Sequence, residues 1–183
     1  RTNWPGVRIN EVLANNRSAV LHEGTFPDAI ELYNETDQPV DLSGLRLTDN
    51  PARPSKFTFP TGTVLLPKSY LVVWANDPDG TSGLHTGFAL DQDGEGVYLF
   101  DRASRGGALL DQVTFGLQLP DLSVGRLGEA GRFVLTQPTF GGPNQAQPLG
   151  DPRQLRINEW LARPQQLAPR DFLELYNPAA LPV

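Results

Sequence analysis

The distribution of glycine and proline limits the fold of this chain more than any other feature. Its 183 residues include 18 Gly and 17 Pro, and these are spread along the whole sequence. Both residues are costly inside helices, and no stretch free of them keeps a helical period for the length of a stable helix. Turn residues at short, regular spacing are typical of many short strands. The sequence therefore predicts an all-β protein.

Alternating apolar and polar residues mark the strands. In the segment DAIELYN, Ile30 and Leu32 fall on one face and Glu31 on the other. Between residues 40 and 47 the alternation changes phase at Gly44, which predicts a bulge or a sharp bend. Further strands are predicted at 56–59, 70–75, 97–101, 109–115, 123–127 and 132–136. This series predicts an antiparallel β-sandwich whose inward faces form the core.

Two segments of the sequence recur in the same order. Residues 7–14 read VRINEVLA and residues 155–162 read LRINEWLA. Residues 28–34 read DAIELYN and residues 171–177 read DFLELYN, with a shorter spacer in the second copy. We therefore expect a tandem duplication.

The repeat defines the expected domain organisation. It predicts a lead-in at 1–6, a complete domain at 7–145, a linker at 146–154 and the truncated start of a second repeat at 155–183. With no Met at any position, the chain is expected to be a piece of a longer polypeptide. Two strands alone bury too little surface to be stable. We expect the second-repeat strands to pack on the first domain or to pair with another molecule.

The charge and the cysteine content exclude several classes of function. The chain has 15 Lys and Arg against 21 Asp and Glu, a net charge of −6, which makes nucleic acid an unfavourable partner. It has no Cys, so thiolate nucleophiles and thiolate metal sites are absent. No apolar run reaches the length of a membrane helix.

The order of the motifs resembles the lamin tail domain family. The opening motifs are INEVLA, DAIELYN and VDLSGLRLTD, and they are followed by KFTFPTGT, YLVVWA, LHTGFAL, GEGVYLFD, VTFG, SVGR and PTFGGPN. The resemblance covers the whole first domain and the opening of the second repeat, and it implies an immunoglobulin-like fold. Animal members form the tails of nuclear intermediate-filament proteins, and bacterial members occur as repeats in large secreted or surface proteins. The tandem copy and the lack of a heptad segment favour the bacterial form.

The resemblance implies a non-catalytic module for spacing, display or protein–protein adhesion in an extracellular or cell-surface bacterial protein. The expected partner is another protein or an adjacent repeat, and a catalytic module is expected, if anywhere, elsewhere in the parent protein. One alternative is a calcium- or polysaccharide-binding accessory module of an extracellular hydrolase or nuclease. Another is a nuclear lamin-type tail.

Three acidic residues of the first copy have counterparts in the second: Glu11, Asp28 and Glu31 correspond to Glu159, Asp171 and Glu174. We expect them to cap backbone groups or to pair with arginines. The alternative is a hydrolase in which Glu11 and Glu31 act as acid and base in an open cleft. The residues expected to form the structural motif are Asn10, Glu11, Asp28, Glu31, Tyr33, Asn34 and His85.

Two loops combine aspartate with glycine, and they supply the candidate calcium ligands Asp77, Asp79, Asp91, Asp93 and Glu95. Calcium takes several oxygen ligands from flexible turns. Asp-Gly is equally common in hairpin turns without metal, and neither loop has a complete calcium-binding pattern. We expect that no cofactor is required, with Ca²⁺ as the one candidate.

The remaining candidates are ring and guanidinium side chains. His22 and His85 could act together only if they met in space, and we expect His85 to be packed and hydrogen-bonded. Trp74 is expected in the core, whereas Trp4 and Trp160 are candidate platforms for sugars. A polysaccharide or DNA patch would use the arginines Arg102, Arg105, Arg126 and Arg132. No motif of a serine hydrolase, zinc protease or P-loop enzyme is present.

Overall fold

The structure, a computed structural model, describes residues 6–78, 80–128, 131–162 and 171–183. The chain divides into two compact units, Arg1–Ala146 and Gln147–Val183. The strands of the first unit are β1 (Val7–Leu13), β2 (Asp28–Asn34), β3 (Val40–Asp41), β4 (Arg46–Thr48), β5 (Phe57–Thr58), β6 (Val64–Leu65), β7 (Tyr70–Ala75), β8 (Leu84–His85), β9 (Glu95–Phe100), β10 (Leu109–Phe115), β11 (Ser123–Leu127), β12 (Arg132–Gln137) and β13 (Gln145–Ala146). The second unit contains β14 (Arg156–Leu161) and β15 (Phe172–Tyr176).

The first unit is an immunoglobulin-like sandwich, as predicted. Its larger sheet has the strand order β13-β12-β11-β1-β2-β7-β8, and its smaller sheet has the order β10-β9-β4-β5. A further short pair joins β3 to β6. Neighbouring strands are antiparallel except for β7 and β8. In the described ranges the helices are single 3-10 turns at Ala103–Arg105 and Pro152–Gln154, and none is long and apolar enough to cross a membrane.

The core is formed by apolar side chains from both sheets. Its members from the larger sheet include Val7, Ile9, Val12, Ile30, Leu32 and Val73, and those from the smaller sheet include Leu47, Val97, Leu99 and Val113. Burial of each such side chain contributes about 1.5–3 kcal/mol before the entropy of ordering is subtracted. The prediction that Ile30 and Leu32 face inward is confirmed, since both are fully buried.

The predicted bend lies at Gly44. Its φ is +75°, a conformation that glycine adopts without steric cost. The chain leaves β3 before this bend and enters β4 after it, so the bend moves the chain into the smaller sheet. The Gly44 N–H donates to the carbonyl of Phe59 at 2.9 Å, which holds the bend against the residue that follows β5.

The longer strands match their predicted bounds closely, and β7, β10 and β11 match them at both ends. Three strands of two residues each, β6, β8 and β13, were not predicted. Two residues are too short to display an alternation, so pairing with a neighbouring strand is what makes them strands.

The second unit is built around a two-stranded antiparallel sheet of β14 and β15, here called the C-terminal strand pair. Most of its side chains are exposed, including Trp160 at 70%. Large apolar side chains on a two-stranded sheet lack the burial that stabilises a sandwich.

Candidate functional site

Glu11 and Glu31 are neighbours on the larger sheet, where they are cross-strand partners in β1 and β2. Since Ile30 and Leu32 face the core, Glu31 points to the opposite face. Both glutamates are nevertheless 0% exposed. The cover on this face is residues 137–144, here called the closing segment, which contains the PTFGGPN motif.

Glu11 is held by one hydroxyl and one backbone group. The Ser123 hydroxyl donates to Glu11 Oε1 at 2.6 Å, and the Thr139 N–H donates to the same oxygen at 3.1 Å. Burial raises the pKa of Glu11, although these hydrogen bonds oppose the shift. The carboxylate therefore acts as a structural acceptor that fixes the start of the closing segment.

Glu31 is held in the same way, one strand further along. Its Oε1 accepts from Asn10 Nδ2 at 2.8 Å, and its Oε2 accepts from the Gly141 N–H at 2.5 Å. Burial, with a smaller contribution from the charge of Glu11, raises the pKa of Glu31 to about 7. Glu31 therefore titrates near neutral pH.

Asn144 completes the attachment of the closing segment. Its Nδ2 donates to the carbonyls of Asn10 and Arg126, each at 2.9 Å, and its Oδ1 accepts from Asn10 Nδ2 at 3.2 Å. Gly125 in β11 makes room for it, because a Cβ there would lie 2.8 Å from Asn144 Nδ2. Sequence reasoning did not select Asn144, although it is the last residue of the quoted PTFGGPN motif.

These contacts define what the carboxylate pair can do. Both carboxylates accept backbone N–H groups, and the ion pairs of the described residues include neither of them. A hydrolase using Glu11 and Glu31 would need an open cleft that admits substrate and water. Complete burial under the closing segment is incompatible with such a cleft.

A bulge in β1 at Asn10 creates a second contact site. The register between β1 and β2 shifts between Ile9 and Glu11, so Asn10 has no cross-strand partner there, and the regular pairing of β1 with β11 covers Glu11 and Val12 but not Ile9. Asp111 Oδ2 accepts the Ile9 N–H at 2.8 Å, and Arg126 Nε donates to the Ile9 carbonyl at 2.7 Å. Arg126 and Asp111 also form an ion pair at 2.5 Å, which links the larger sheet to β10 of the smaller sheet.

This arrangement removes Arg126 from the candidate polysaccharide or DNA patch, because its side chain is largely buried. Arg102 is also engaged, in an ion pair with Asp41 at 3.0 Å and in hydrogen bonds to backbone carbonyls of the bend. Two of the four arginines are thus used inside the fold. The signal that could have identified Arg126 is its place in the quoted SVGR motif.

Asn34 and Tyr33 lie at the end of β2. Asn34 is fully buried, and its Nδ2 donates to the carbonyls of Gln38, Leu65 and Leu66 at 2.8–3.1 Å. Its Oδ1 accepts the Thr36 N–H at 2.9 Å, so one amide fixes the turn after β2. The ring of Tyr33 packs against that of Tyr70, with centroids 4.8 Å apart, on the outer face of the sheet.

Two calcium candidates, Asp91 and Glu95, lie with Asp28 at a cleft of about 450 Å³. Glu95 Oε1 accepts the Asp91 N–H at 2.7 Å, and Asp91 Oδ1 accepts the Asp93 N–H at 2.9 Å. Burial raises the pKa values of Asp28 and Glu95. The carboxylates of Asp91 and Glu95 therefore already serve as acceptors within the turn.

Of the other three candidates, Asp77 and Asp93 do not line this cleft, and Asp79 lies outside the described residues. Across the described ranges, no three His, Cys, Asp or Glu side chains are grouped so that they could hold a metal ion. The calcium site stays a prediction.

The two histidines meet beside Trp74. The His22 ring stacks on the Trp74 ring at 4.1 Å and lies 5.8 Å from the His85 ring. His85 Nδ1 is hydrogen-bonded to Asn76 Oδ1 at 2.7 Å. The prediction that Trp74 lies in the core is wrong: the inward residue beside it is Val73, and Trp74 is half-buried on the outer face.

A platform for sugars at Trp160 or Trp4 stays a prediction. His22 covers Trp74, and Trp160 belongs to the C-terminal strand pair of the second unit. Trp4 lies outside the described residues.

Comparison with known proteins gives one result for the first unit. The family model described as Lamin Tail Domain matches residues 2–116, more than half of the chain. The matched range contains β1 to β10 and with them Glu11, Glu31 and the Asn10 bulge. No curated protein matches the chain.

Proposed function

Because this chain belongs to the lamin tail domain family, whose Ig-like domains are non-enzymatic, we propose that it is a structural and interaction module. We assign its role as spacing, display or protein–protein adhesion within a larger secreted or cell-surface protein. The chain carries the opening motifs twice. This repeat fits the bacterial form of the family and supports the proposed setting.

The buried carboxylate pair supports a non-catalytic role. The acidic residues that a hydrolase would use are occupied by N–H groups of the closing segment and by Ser123 and Asn10. Their chemistry is used to fasten the end of the domain to its first two strands. A fold can carry many functions, so it is the contacts of the site, and not the fold, that support this role.

The observation that carries the proposal is the exposure of the C-terminal strand pair. Ile157, Leu173 and Leu175 are each more than half exposed, and Trp160 is 70% exposed. The corresponding residues of the first unit, such as Ile9 and Leu32, are fully buried. Contiguous exposed apolar side chains mark interaction surfaces, and sheets bind partners by adding strands.

Sedimentation velocity over a range of protein concentrations tests this proposal. We expect concentration-dependent association of the chain and its loss in the double variant Leu173→Ser/Leu175→Ser. The matched control is Leu117→Ser, which replaces an exposed leucine of the first unit. A chain that sediments as a monomer at every concentration, with no difference between it and the double variant, would contradict adhesion through this surface.

A further inference from the structure

The C-terminal strand pair has the same register as β1 and β2. Glu159 pairs with Glu174 as Glu11 pairs with Glu31, and in both pairs the residue before the first glutamate is bulged. The bulged residues are Asn10 and Asn158. The second pair is therefore built as the opening pair of a lamin-tail sandwich, with its own residues supplying the geometry.

The side-chain hydrogen bonds of the C-terminal strand pair also match those of β1 and β2 at the corresponding positions. Asn158 Nδ2 donates to Glu174 Oε1, as Asn10 Nδ2 donates to Glu31 Oε1. Asn177 Nδ2 donates to the carbonyl of the residue four positions later at 2.8 Å, and Asn34 Nδ2 makes the same bond in the first unit. Both asparagines also accept the N–H two residues further on. The match extends from the backbone to the polar side chains of the site.

What differs is the cover over these side chains. In the first unit, the Thr139 N–H and the Gly141 N–H bind to the two carboxylates, and β11 pairs with the edge of β1. In the described part of the second unit no third strand pairs with β14, and both Glu159 and Glu174 are exposed. The strand pair presents two carboxylates and a strand edge whose complement is known from the first unit.

The first unit also defines the chemistry of that complement. The occupant is an extended polypeptide whose first strand adds to the edge of β14, as β11 adds to β1. A turn then brings two backbone N–H groups, two residues apart, onto the two carboxylates, as Thr139 and Gly141 do. Hydrogen bonds from N–H groups to carboxylates are charge-assisted and stronger than neutral ones.

We propose that the C-terminal strand pair binds a polypeptide segment with the chemistry of residues 123–146, through the edge of β14 and the carboxylates of Glu159 and Glu174. This inference rests on the proposed function, because it names the partner of the interaction module. The apolar face of the strand pair, with Leu173 and Leu175, is the opposite face and is not needed for this contact.

A labelled synthetic peptide of residues 123–146 tests the proposal when the full chain is titrated against it and fluorescence anisotropy is measured. We expect saturable binding, weakened at least about tenfold by Glu159→Ala/Glu174→Ala because the charged acceptors are removed. The matched control is Asp37→Ala, which removes a largely exposed carboxylate of the first unit and leaves binding unchanged.

A second peptide removes the donor instead of the acceptor. With N-methylglycine in place of Gly141, the peptide keeps an achiral backbone but lacks the N–H that binds to Glu31 in the first unit. We expect weakening similar to that caused by the glutamate variants. This arm does not depend on the folding of any protein variant.

Absence of binding, or binding that neither the glutamate variants nor the methylated peptide weakens, would overturn the proposal. Self-association of the chain that the peptide does not displace would also overturn it, by identifying a second copy of the strand pair as the occupant. Association that depends on Leu173 and Leu175, without peptide binding, would leave the proposed function standing and remove this inference. Peptide binding by a monomeric chain would support the inference and contradict adhesion between copies.

Discussion

Glu11 and Glu31 lie opposite each other on β1 and β2, and each accepts a backbone N–H from the closing segment. Two like charges on neighbouring strands are unfavourable, and burying them without partners would cost several kcal/mol, about 2–7 for even a neutral polar group. The hydrogen bonds from Thr139 and Gly141 offset part of this cost. The attachment of the closing segment therefore depends on groups that titrate.

Glu31 contributes to the pH dependence of stability, in the same direction as Glu11, Asp28 and Glu95, whose pKa values are also raised. Because its pKa is raised from 4.5 to about 7 in the folded state, its stabilising contribution is fully present below the unfolded value and is lost as the pH rises through about 7. We expect the free energy of unfolding to fall by up to about 3 kcal/mol between about pH 5 and pH 8. Urea denaturation at several pH values measures this free energy.

Glu31→Gln provides the matched variant, since it removes the titration and keeps one acceptor oxygen. We expect its stability to change much less over the same pH range, whereas Glu35→Gln, at a partly exposed ion pair with Arg8, should keep the wild-type slope. The carboxyls whose pKa values are lowered act below about pH 4 and do not disturb this window; they are Asp41, Asp121 and Asp151. A wild-type stability that rises with pH would contradict the role of Glu31.

Asn34→Ala is expected to destabilise the first unit by about 2–3 kcal/mol, because it leaves several buried backbone groups without their partner. The matched control is Asn177→Ala, whose side chain makes equivalent bonds in the exposed strand pair. We expect that variant to lower the free energy of unfolding of the first unit by less than about 0.5 kcal/mol. Urea unfolding followed by circular dichroism measures both, and equal losses would show that burial of Asn34 is unimportant.

Arg126→Ala is expected to lower the free energy of unfolding of the first unit by about 3 kcal/mol, because it leaves Asp111 and the Ile9 carbonyl buried without the guanidinium that binds them. Arg153→Ala breaks an ion pair of comparable length at a highly exposed side chain, and solvent screening should make its effect on the free energy of unfolding much smaller. A double-mutant cycle of Arg126 and Asp111 isolates the coupling between them. A coupling energy near zero would mean that the two side chains act independently.

The calcium prediction is tested by thermal melting in EDTA and in millimolar CaCl₂. Because Asp91 and Glu95 already accept N–H groups within their turn, we expect the two curves to coincide. A bound ion at a hundred times its dissociation constant would stabilise by about 2.7 kcal/mol and shift the melting temperature by several degrees. Such a shift, abolished in Asp91→Asn/Glu95→Gln, would establish a site.

Much of the fold could be predicted because period-two alternation survives in the longer strands. Ile30, Leu32 and the bend at Gly44 were placed correctly from the sequence alone. Trp74 was misplaced, because its strand is apolar on both faces and alternation gives no direction there. Its cover, His22, is distant in sequence and reaches it only through the tertiary fold.

The site was only partly predictable. The repeated glutamates of β1 and β2 were recognised, and their pairing followed from neighbouring strands. The closing segment and Asn144 were not connected to them, since these contacts span more than 100 residues of sequence. Arg126 was interpreted as a surface residue because a local pattern does not show that its guanidinium binds the carbonyl of Ile9, beside the bulge at Asn10.

The bulge-and-carboxylate arrangement of β1 and β2 also has a consequence for synthesis. The N–H of Thr139, which donates to the Glu11 carboxylate, lies 128 residues later in the sequence. On the ribosome, the first pair of strands therefore stays open until nearly the whole first unit has emerged. The second pair, with the same asparagine and glutamates, is translated directly after the closing segment. The order of translation thus makes the first pair available to that segment before the second pair has emerged.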